Sequence, residues 1–280
     1  MALSILNNIA SLVAQNQLSM TGASLKTTLL RLSSGSRINS GADDAAGLAI
    51  ADGLNANVTA LTQSARNATD GVGLLQVADG AMSQVTTLLN RAVTLATESA
   101  TGTVNDTQRV ALDAEFTSIK AEIDRIGTNT QYNGSAVFGG GNPTVYLSDG
   151  TATGSSPITM AIGALSSASI GFTGTPVNLS TDDLTSAANA QAALTDITAA
   201  ISNVAADRGN LGAVTNRLQS ASNVITNQLQ NLSSAEDGIR AADIGQEVAN
   251  LSKYNILQQT GITALQQSNQ IQQSVLKLLQ

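Results

Sequence analysis

The chain has 280 residues and carries 13 Lys or Arg against 20 Asp or Glu, a net charge of -7 at pH 7. An acidic chain without a basic patch is poorly suited to bind nucleic acid. Because Cys and His are absent, the commonest thiol, general-base and transition-metal chemistry is excluded. Aromatic residues are 2% of the chain and hydrophobic residues 42%, so the apolar content is aliphatic and suits thin seams between long helices.

The first predicted element is an N-terminal helix of low charge. Residues 1–36 contain only two charged side chains, Lys26 and Arg31, among aliphatic residues and Asn, Gln, Ser and Thr. A solvated helix face normally carries Lys and Glu, because desolvating a charge is expensive. We therefore expect this helix to be covered, with other chains supplying partners for its amides. The sequence predicts neither a secretory signal peptide nor a membrane span. Taken alone, these two absences indicate a cytoplasmic protein.

A densely patterned loop, Arg37–Gly47, follows this helix. Asp43 and Asp44 stand where the next helix begins. We expect them to cap it by accepting hydrogen bonds from free backbone N–H groups and by complementing the helix dipole. A metal site is the alternative reading. Two adjacent acids with no third ligand at loop spacing argue against it.

The strongest periodicity predicts a helix from about Asp44 to Ala100. Apolar residues fall at strict sevens, at Leu54, Leu61, Ala68, Leu75, Met82, Leu89 and Ala96. A second row lies four residues on, at Val58, Ala65, Val72, Asp79, Thr86 and Val93. A sustained heptad implies partner helices in a left-handed supercoil. Gly71 and Gly73 lie inside this helix, so they are interpreted as structural and not as a phosphate-binding loop.

Two partner helices are predicted further along the chain. The first has a stripe at Leu112, Phe116, Ile119, Ile123 and Ile126, and the second repeats at strict sevens at Ile197, Val204, Leu211, Leu218, Ile225 and Leu232. Each of the three apolar stripes needs partner helices to bury it, which indicates a helical bundle. Acids on these helices fit solvated faces better than acid–base catalysis; they include Glu98, Glu115, Glu122 and Asp124.

The segment between the partner helices has a different composition. Residues 130–180 are rich in Gly, Thr and Ser and hold all three prolines. Short strands are predicted at 135–138, 144–147 and 158–162, with a hairpin loop at 139–142. We expect this small β excursion to cap one end of the bundle. Its tip, about 149–157 and 164–180, is expected to be exposed and mobile.

A C-terminal helix completes the predicted elements. Its heptad track reads Val248, Leu251, Asn255, Gln258, Ile262, Leu265, Asn269, Gln272, Leu276 and Leu279. Apolar pairs alternate with amide pairs, and polar residues on a seam specify register and partner number at some loss of stability.

The predicted fold class is mainly α: a long antiparallel helical coiled-coil bundle built from both chain ends, with a small β-hairpin excursion in the middle. Residues 1–43 and 237–280 are expected to form a discontinuous terminal-helix domain that includes the connecting segments. Residues 44–182 and 183–236 are expected to form the helical-bundle core domain.

Five motifs in this order resemble the bacterial flagellins, the subunits of the flagellar filament. They lie at Leu32–Ile50, at Glu122–Ile126 with Thr130–Gly134, at Leu211–Arg217, at Asn231–Ser234, and from Ile256–Gln259 through Val275–Leu279. The resemblance covers about residues 1–150 and 183–280. The short stretch at about 165–182 implies that the outer surface domains of large flagellins are missing, and so predicts a comparatively smooth filament.

The resemblance implies a non-enzymatic, self-assembling subunit that needs no cofactor. Its terminal helices would line the inner tube of the filament and be disordered in the free monomer. The subunit would leave the cell through the flagellar type III export channel, with a chaperone on its C-terminal segment. Filament cap and hook–filament junction proteins would be further partners. The residues assigned to filament assembly are Leu6, Ile9, Val13, Leu25, Leu29, Leu32, Val248, Leu251, Asn255, Gln258, Ile262, Leu265, Leu276 and Leu279.

Some flagellins also present a site to an innate immune receptor of animals. By the resemblance, Arg91, Leu95 and Glu115 fall on its central positions. The surrounding residues Ala92, Val93, Thr94 and Thr97 depart from the usual pattern, which argues against recognition here.

Three alternatives differ from a filament subunit. A hook–filament junction protein would share the terminal helices, but usually matches the motifs less completely. An acid-catalysed hydrolase would need carboxylates converging in a pocket, whereas these acids are spread along helices. A monomeric surface adhesin would fold both of its termini stably at low concentration.

Overall fold

The computed structural model describes residues 8–150 and 157–278. In that part of the chain three helices are followed by four short strands and then by two more helices: α1 Ile9–Ser34, α2 Ala45–Ala100, α3 Asp106–Asn129, β1 Gln131–Tyr132, β2 Ser135–Ala136, β3 Thr144–Val145, β4 Ile158–Thr159, α4 Ala187–Arg240 and α5 Ile244–Leu278. The predicted mainly α architecture is confirmed. The chain forms two compact units, and the boundaries between them lie within α2 and α4. One unit runs from residue 57 to 230, and the other contains the chain to residue 56 and from residue 231 onward. The predicted domain boundaries stay a prediction.

The heptad row of α2 is buried as predicted within the 57–230 unit, at Leu61, Ala68, Leu75, Met82, Leu89 and Ala96. The second predicted row, four residues on, is only partly buried. The buried row lies three residues on instead, at Ser64, Gly71, Ala78, Val85, Ala92 and Ser99. Most of these side chains are small, because backbone from the middle of the chain packs closely against this side of α2.

Helices α3 and α4 complete the core of this unit. Asn105 and Gln108 begin α3 with reciprocal side-chain to backbone hydrogen bonds that satisfy the free N–H groups at its first turn. The predicted stripe then buries Phe116, Ile119 and Ile123. On α4 the strict sevens from Ile197 to Ile225 are buried as well. The three predicted seams therefore meet around one aliphatic core.

The middle segment forms two separate two-stranded hairpins, which corrects the predicted loop at 139–142. Strand β1 pairs with β2 and strand β3 pairs with β4, both antiparallel, so 139–142 connects the hairpins. The β1–β2 turn is Asn133-Gly134, with φ of 49° and 77°. Positive φ at both central residues is the turn geometry that Asn-Gly favours in hairpins. Asn133-Gly134 was therefore a sequence signal for β1, a strand that was not predicted from the sequence.

The expectation that the β excursion caps one end of the bundle is wrong. Its contacts run along the side of α2: the Ser64 hydroxyl donates to the Ser148 carbonyl at 2.8 Å, the Asn67 Nδ2 donates to the Tyr146 carbonyl at 3.1 Å, and Tyr132 lies against Gly73. The region 164–180 was expected to be an exposed tip, yet it contributes Leu165, Ile170 and Leu179 to the buried core. Residues 151–156 of the predicted tip lie outside the described residues.

Two carboxylates anchor this middle segment. Asp207 on α4 is fully buried and accepts hydrogen bonds from the backbone N–H groups of Phe172 and Thr173, each at 3.0 Å. Asp124 on α3 accepts from the Ser167 N–H at 2.6 Å and its hydroxyl at 2.9 Å. Asp124 was expected on a solvated face, so its role in tying down a loop is a correction. Buried loop backbone needs such partners because unpaired N–H groups are costly.

Gly127 tests this packing, because a Cβ at this position would overlap the carbonyl oxygen of Leu165. Gly127→Ala is expected to lower the free energy of unfolding by about 1–3 kcal/mol, because the loop must move to relieve the overlap. The matched control is Gly80→Ala on α2, where a Cβ meets nothing within 4 Å. That change should raise stability by up to about 1 kcal/mol through helix propensity. Denaturant unfolding measures both variants, and equal effects would contradict this account of the loop.

Candidate assembly surface

The ends of α1 and α5 are capped by neighbouring side chains. The Asn8 Oδ1 accepts a hydrogen bond from the Ser11 N–H at 3.0 Å and so begins α1. Gly35 ends this helix with a φ of 69°, a left-handed conformation that glycine adopts without strain. The Asp243 Oδ1 accepts from the Gln246 N–H at 3.1 Å at the start of α5. These contacts define where α1 begins and ends and where α5 begins.

The two helices pack antiparallel, as three contacts along their length show. The Asn8 Nδ2 donates to the Ser268 carbonyl at 3.4 Å, and the Ser268 hydroxyl donates back to the Asn8 Oδ1 at 3.2 Å. In the middle, a Cβ on Gly261 would lie 3.3 Å from the Leu18 Cδ1. At the other end, Arg31 Nη1 lies 3.4 Å from Glu247 Oε1. These contacts define a single antiparallel register.

The seam between α1 and α5 is polar for a helix pair. On α1 its buried residues are Thr21 and Thr28, and the Thr21 hydroxyl satisfies itself by donating to the Gln17 carbonyl at 2.8 Å. Described apolar side chains of α1 and α5 contribute nothing to the fully buried core. Since burial of apolar surface is the main favourable term in folding, this pair gains little from its own seam.

The outward faces of α1 and α5 are apolar. Much of the exposed large hydrophobic surface of the described chain lies on these two helices, at Ile9, Leu12, Val13, Met20, Leu29, Leu30, Ile244, Val248, Ile256, Leu257, Ile262 and Ile271. Ile9, Met20 and Ile256 are 67%, 65% and 63% exposed. We call these residues the outer apolar surface. Contiguous exposed apolar surface of this kind marks an interaction site.

The residues predicted for assembly divide between this surface and the seam. Half-buried on the seam side are Leu25, Leu32, Leu251, Gln258 and Leu265, and exposed are Ile9, Val13, Leu29, Val248, Asn255 and Ile262. The division arises because the more buried row of α5 runs through Tyr254 and Gly261, one residue before the predicted Asn255 and Ile262. Leu6 and Leu279 lie outside the described residues, and so does the side chain of Leu276.

The segments that join these helices to α2 and α4 lie side by side. Ser36 and Ala241 form an antiparallel bridge, and the Arg37 N–H donates to the Arg240 carbonyl at 2.7 Å. The Arg37 Nη2 donates to the Ile239 carbonyl at 2.8 Å. Ile38 is only 1% exposed. These bonds explain why the loop after α1 is so densely patterned: its backbone is paired with the other chain end.

The two acids of this loop have different roles. Asp44 Oδ1 accepts from the Gly47 N–H at 2.8 Å, which is the geometry of a helix N-cap. The Asp43 carboxylate instead accepts from the Ser40 hydroxyl and from the N–H groups of Ser40 and Asn39. These bonds, the hydroxyl first, hold the pKa of Asp43 below its ordinary value. Asp43 therefore closes the loop on itself, which differs from the expected helix cap.

The three residues aligned with an innate-receptor site lie on α2 and α3. Arg91 pairs with Glu115 through two hydrogen bonds of 2.7 and 3.0 Å, which lowers the pKa of Glu115. Leu95 is 1% exposed and belongs to the core, so its side chain is not on the surface. The expectation that an innate receptor does not recognise this face stays a prediction, and tight association in a binding assay with purified monomer would overturn it.

Other features of the described residues offer little for chemistry. A groove of about 230 Å³ runs between α2 and α4 and is lined by Ala68, Thr69, Val72, Leu218, Gln219, Ser222 and Asn223, with no titratable side chain among them. No cluster of His, Cys, Asp or Glu suited to a metal ion occurs in residues 8–150 and 157–278. Within those ranges, no helix is both long enough and apolar enough to span a membrane.

A paired set of terminal helices with a polar seam and an apolar outer face, continuous with a helical bundle, defines a self-assembling structural subunit. A model of the bacterial flagellin N-terminal helical region matches residues 5–143, and a model of the bacterial flagellin C-terminal helical region matches residues 194–279. The chain belongs to the bacterial flagellin family and is a structural subunit of the flagellar filament.

Curated relatives match over most of the chain. It is 36% identical to a flagellin of Halalkalibacterium halodurans over 249 residues, 89% of each chain. It is 34% identical to a flagellar filament 33 kDa core protein of Treponema phagedenis, with 98% of each chain covered. The fold is also similar to a solved structure described as a flagellar hook-associated protein from Vibrio parahaemolyticus. That match has a TM-score of 0.58 at 15% identity and covers 71% of this chain and 100% of the other.

Proposed function

We propose that the outer apolar surface of α1 and α5 is the contact through which copies of the chain join in the filament. The carrying observation is that, among the side chains the structure describes, these helices fully bury no large apolar residue, leave their seam leucines half-buried and expose twelve large apolar residues. Burying the exposed part of one such side chain contributes about 1 kcal/mol. A filament encloses many of these residues at once, which offsets the entropy of ordering both chain ends.

Low charge supports the same proposal. Glu247 is the only acid on α5, and Lys26 and Arg31 are the only charges on α1. A helix that stayed in water would gain from a charged outer face, whereas a helix enclosed by neighbours would have to desolvate those charges. The amides at Asn255 and Gln258 can then pair with groups on neighbouring copies, as buried polar groups require.

Single substitutions on the outer apolar surface test this contact. Ile9→Ser and Ile256→Ser are each expected to raise the critical concentration for filament formation by at least about fivefold, because each removes about 1 kcal/mol of burial between copies. Ser and Ile have similar helix propensity, so the helices themselves should be little affected.

Val110→Ser is the matched control, since Val110 is 61% exposed on α3, away from α1 and α5. It should leave the critical concentration near that of the unmodified chain. Sedimentation of polymer from soluble subunit at a series of concentrations measures all three variants. An increase for Val110→Ser equal to that for Ile9→Ser would remove the distinction on which the proposal depends.

We further propose that α1 and α5 become ordered only on assembly. An isolated pair of helices with a half-buried polar seam is marginal in water, because helix stability in proteins comes mostly from packing. Amide hydrogen exchange in the dilute subunit should show little protection in α1 and α5 and strong protection in α2 and α4 between residues 57 and 230. In the filament, α1 and α5 should become protected as well. Equal protection of all these helices in the dilute subunit would favour a stably folded monomer instead.

The remaining partners and the location outside the cell are also proposed. The apolar face of α5 must be shielded between synthesis and assembly, which is a role for an export chaperone bound to the C-terminal segment. Secretion through the flagellar type III channel, assembly under a filament cap and contact with junction proteins are inferred from family membership. Ile256→Ser and Ile262→Ser together should weaken chaperone binding measured by calorimetry at least about tenfold, since two apolar anchors are lost. Unchanged affinity would place the chaperone elsewhere.

A further inference from the structure

The ion pair between Arg31 and Glu247 has a role that stability alone does not explain. It joins one of the two cations of α1 to the only acid of α5. The side chains are 30% and 10% exposed, and the pair makes one contact of 3.4 Å. Arg31 Nε and Glu247 Oε2 are buried and make no hydrogen bond within the described chain. A buried ion pair with unsatisfied atoms is a weak stabiliser, and an apolar pair of similar volume is often as good or better.

Backbone pairing at Ser36–Ala241 and Arg37–Arg240 holds the same register beside the ion pair, whereas the leucine-containing rows of the seam repeat along both helices. Leu18, Leu25 and Leu32 repeat at strict sevens on α1, and Leu251, Gln258 and Leu265 do so on α5. A slip of seven residues exchanges leucine with glutamine in the α5 row, and a slip of fourteen restores the same sequence of leucine and glutamine. Packing of small and flexible side chains therefore penalises such slips only mildly.

The charges do distinguish these registers. If α5 slipped so that Gly261 moved from Leu18 to a position opposite Leu25, Arg31 would face the region of Tyr254. After a slip of fourteen residues, Arg31 would face the region of Gly261 itself. Neither position carries an acid, and Glu247 would lose its cation in both cases. A partly buried charge that loses its partner is disfavoured, so the ion pair opposes both slips.

We propose that Arg31 and Glu247 are positioning residues that select the register of α1 against α5. A heptad slip keeps the same helix faces outside, but it changes how the apolar side chains of α1 line up with those of α5 along the outer apolar surface that a second copy would meet. Polar groups on helix seams are known to set register and partner number in this way. The inference concerns contacts within one chain, so it does not depend on the proposal that the outer apolar surface joins the copies.

A set of engineered disulfides reads the register directly, because the chain has no cysteine of its own. Gly261→Cys is combined in turn with Leu18→Cys, Leu25→Cys or Leu32→Cys, which report the observed register and slips of seven and fourteen residues. Filaments are oxidised, dissolved and run without reductant. Links within a chain are separated from links between chains by mass, and peptide mass spectrometry confirms the pair.

The Leu18–Gly261 pair should form almost all of the intrachain product when Arg31 and Glu247 are intact. Each disulfide pair is then combined with Arg31→Met and Glu247→Leu, which keep the seam filled with apolar side chains. The slipped products should rise at least about tenfold relative to the observed-register product, while thermal stability of the subunit is largely kept. The charge reversal Arg31→Glu with Glu247→Arg should restore the original pattern, and Lys26→Ala is the matched control for loss of a cation.

The outcomes are separable. Slipped products that stay as low as in the parent after Arg31→Met with Glu247→Leu would overturn the proposal, as would failure of the charge reversal to restore the pattern. If the apolar double variant does not assemble, the single substitution Glu247→Arg replaces it, because it places two cations together. Slipped disulfide products should then rise, and adding Arg31→Glu should lower them again. An increase in slipped product with Lys26→Ala would also count against a specific role for Arg31.

Discussion

The antiparallel contact between α1 and α5 is the constraint on which the behaviour of this subunit depends. It joins residues from opposite ends of the chain, Asn8 with Ser268 and Arg31 with Glu247. The contact buries two threonines and Glu247, leaves the seam leucines only half-buried, and leaves many isoleucine, leucine and valine side chains exposed. A pair of helices built in this way is completed only when something apolar covers it. In a filament subunit, we propose that further copies supply this covering.

The 57–230 unit differs from the α1–α5 pair because it buries large apolar side chains of its own. Its core contains Leu75, Phe116 and Ile197 among many fully buried aliphatic side chains. Its loops are tied down by buried hydrogen bonds, most clearly those accepted by Asp207. This unit has the interior of a self-sufficient domain, whereas α1 and α5 do not. This contrast in burial is the basis for the proposal that α1 and α5 become ordered only on assembly.

Several features followed from periodicity and composition alone. The strict sevens of α2 and α4 predicted long helices, and those residues are buried except Leu54 and Leu232, which are half-buried. The near absence of charge in the chain ends predicted helices that need covering. The errors occurred where the pattern has more than one solution. Rows three and four residues from a heptad position are both its neighbours on a helix, and the sequence does not say which row faces a partner. Ser64 is buried against the Ser148 carbonyl and Gly71 against the side chains of Val145 and Leu218, and small residues carry little hydrophobic signal of their own.

The amino-acid sequence by itself determined the helices, their heptad spacing, the low charge of the chain ends and membership of the flagellin family, since all of these are local or linear properties. The tertiary structure alone decided three further properties. It placed Leu251 on the seam and Ile256 outside, laid the middle segment along the helices, and brought Arg31 to Glu247. The physical reason is that periodicity defines a stripe on a helix but not the element that meets it. Which residues meet depends on register, and register is a property of two segments that lie more than 200 residues apart.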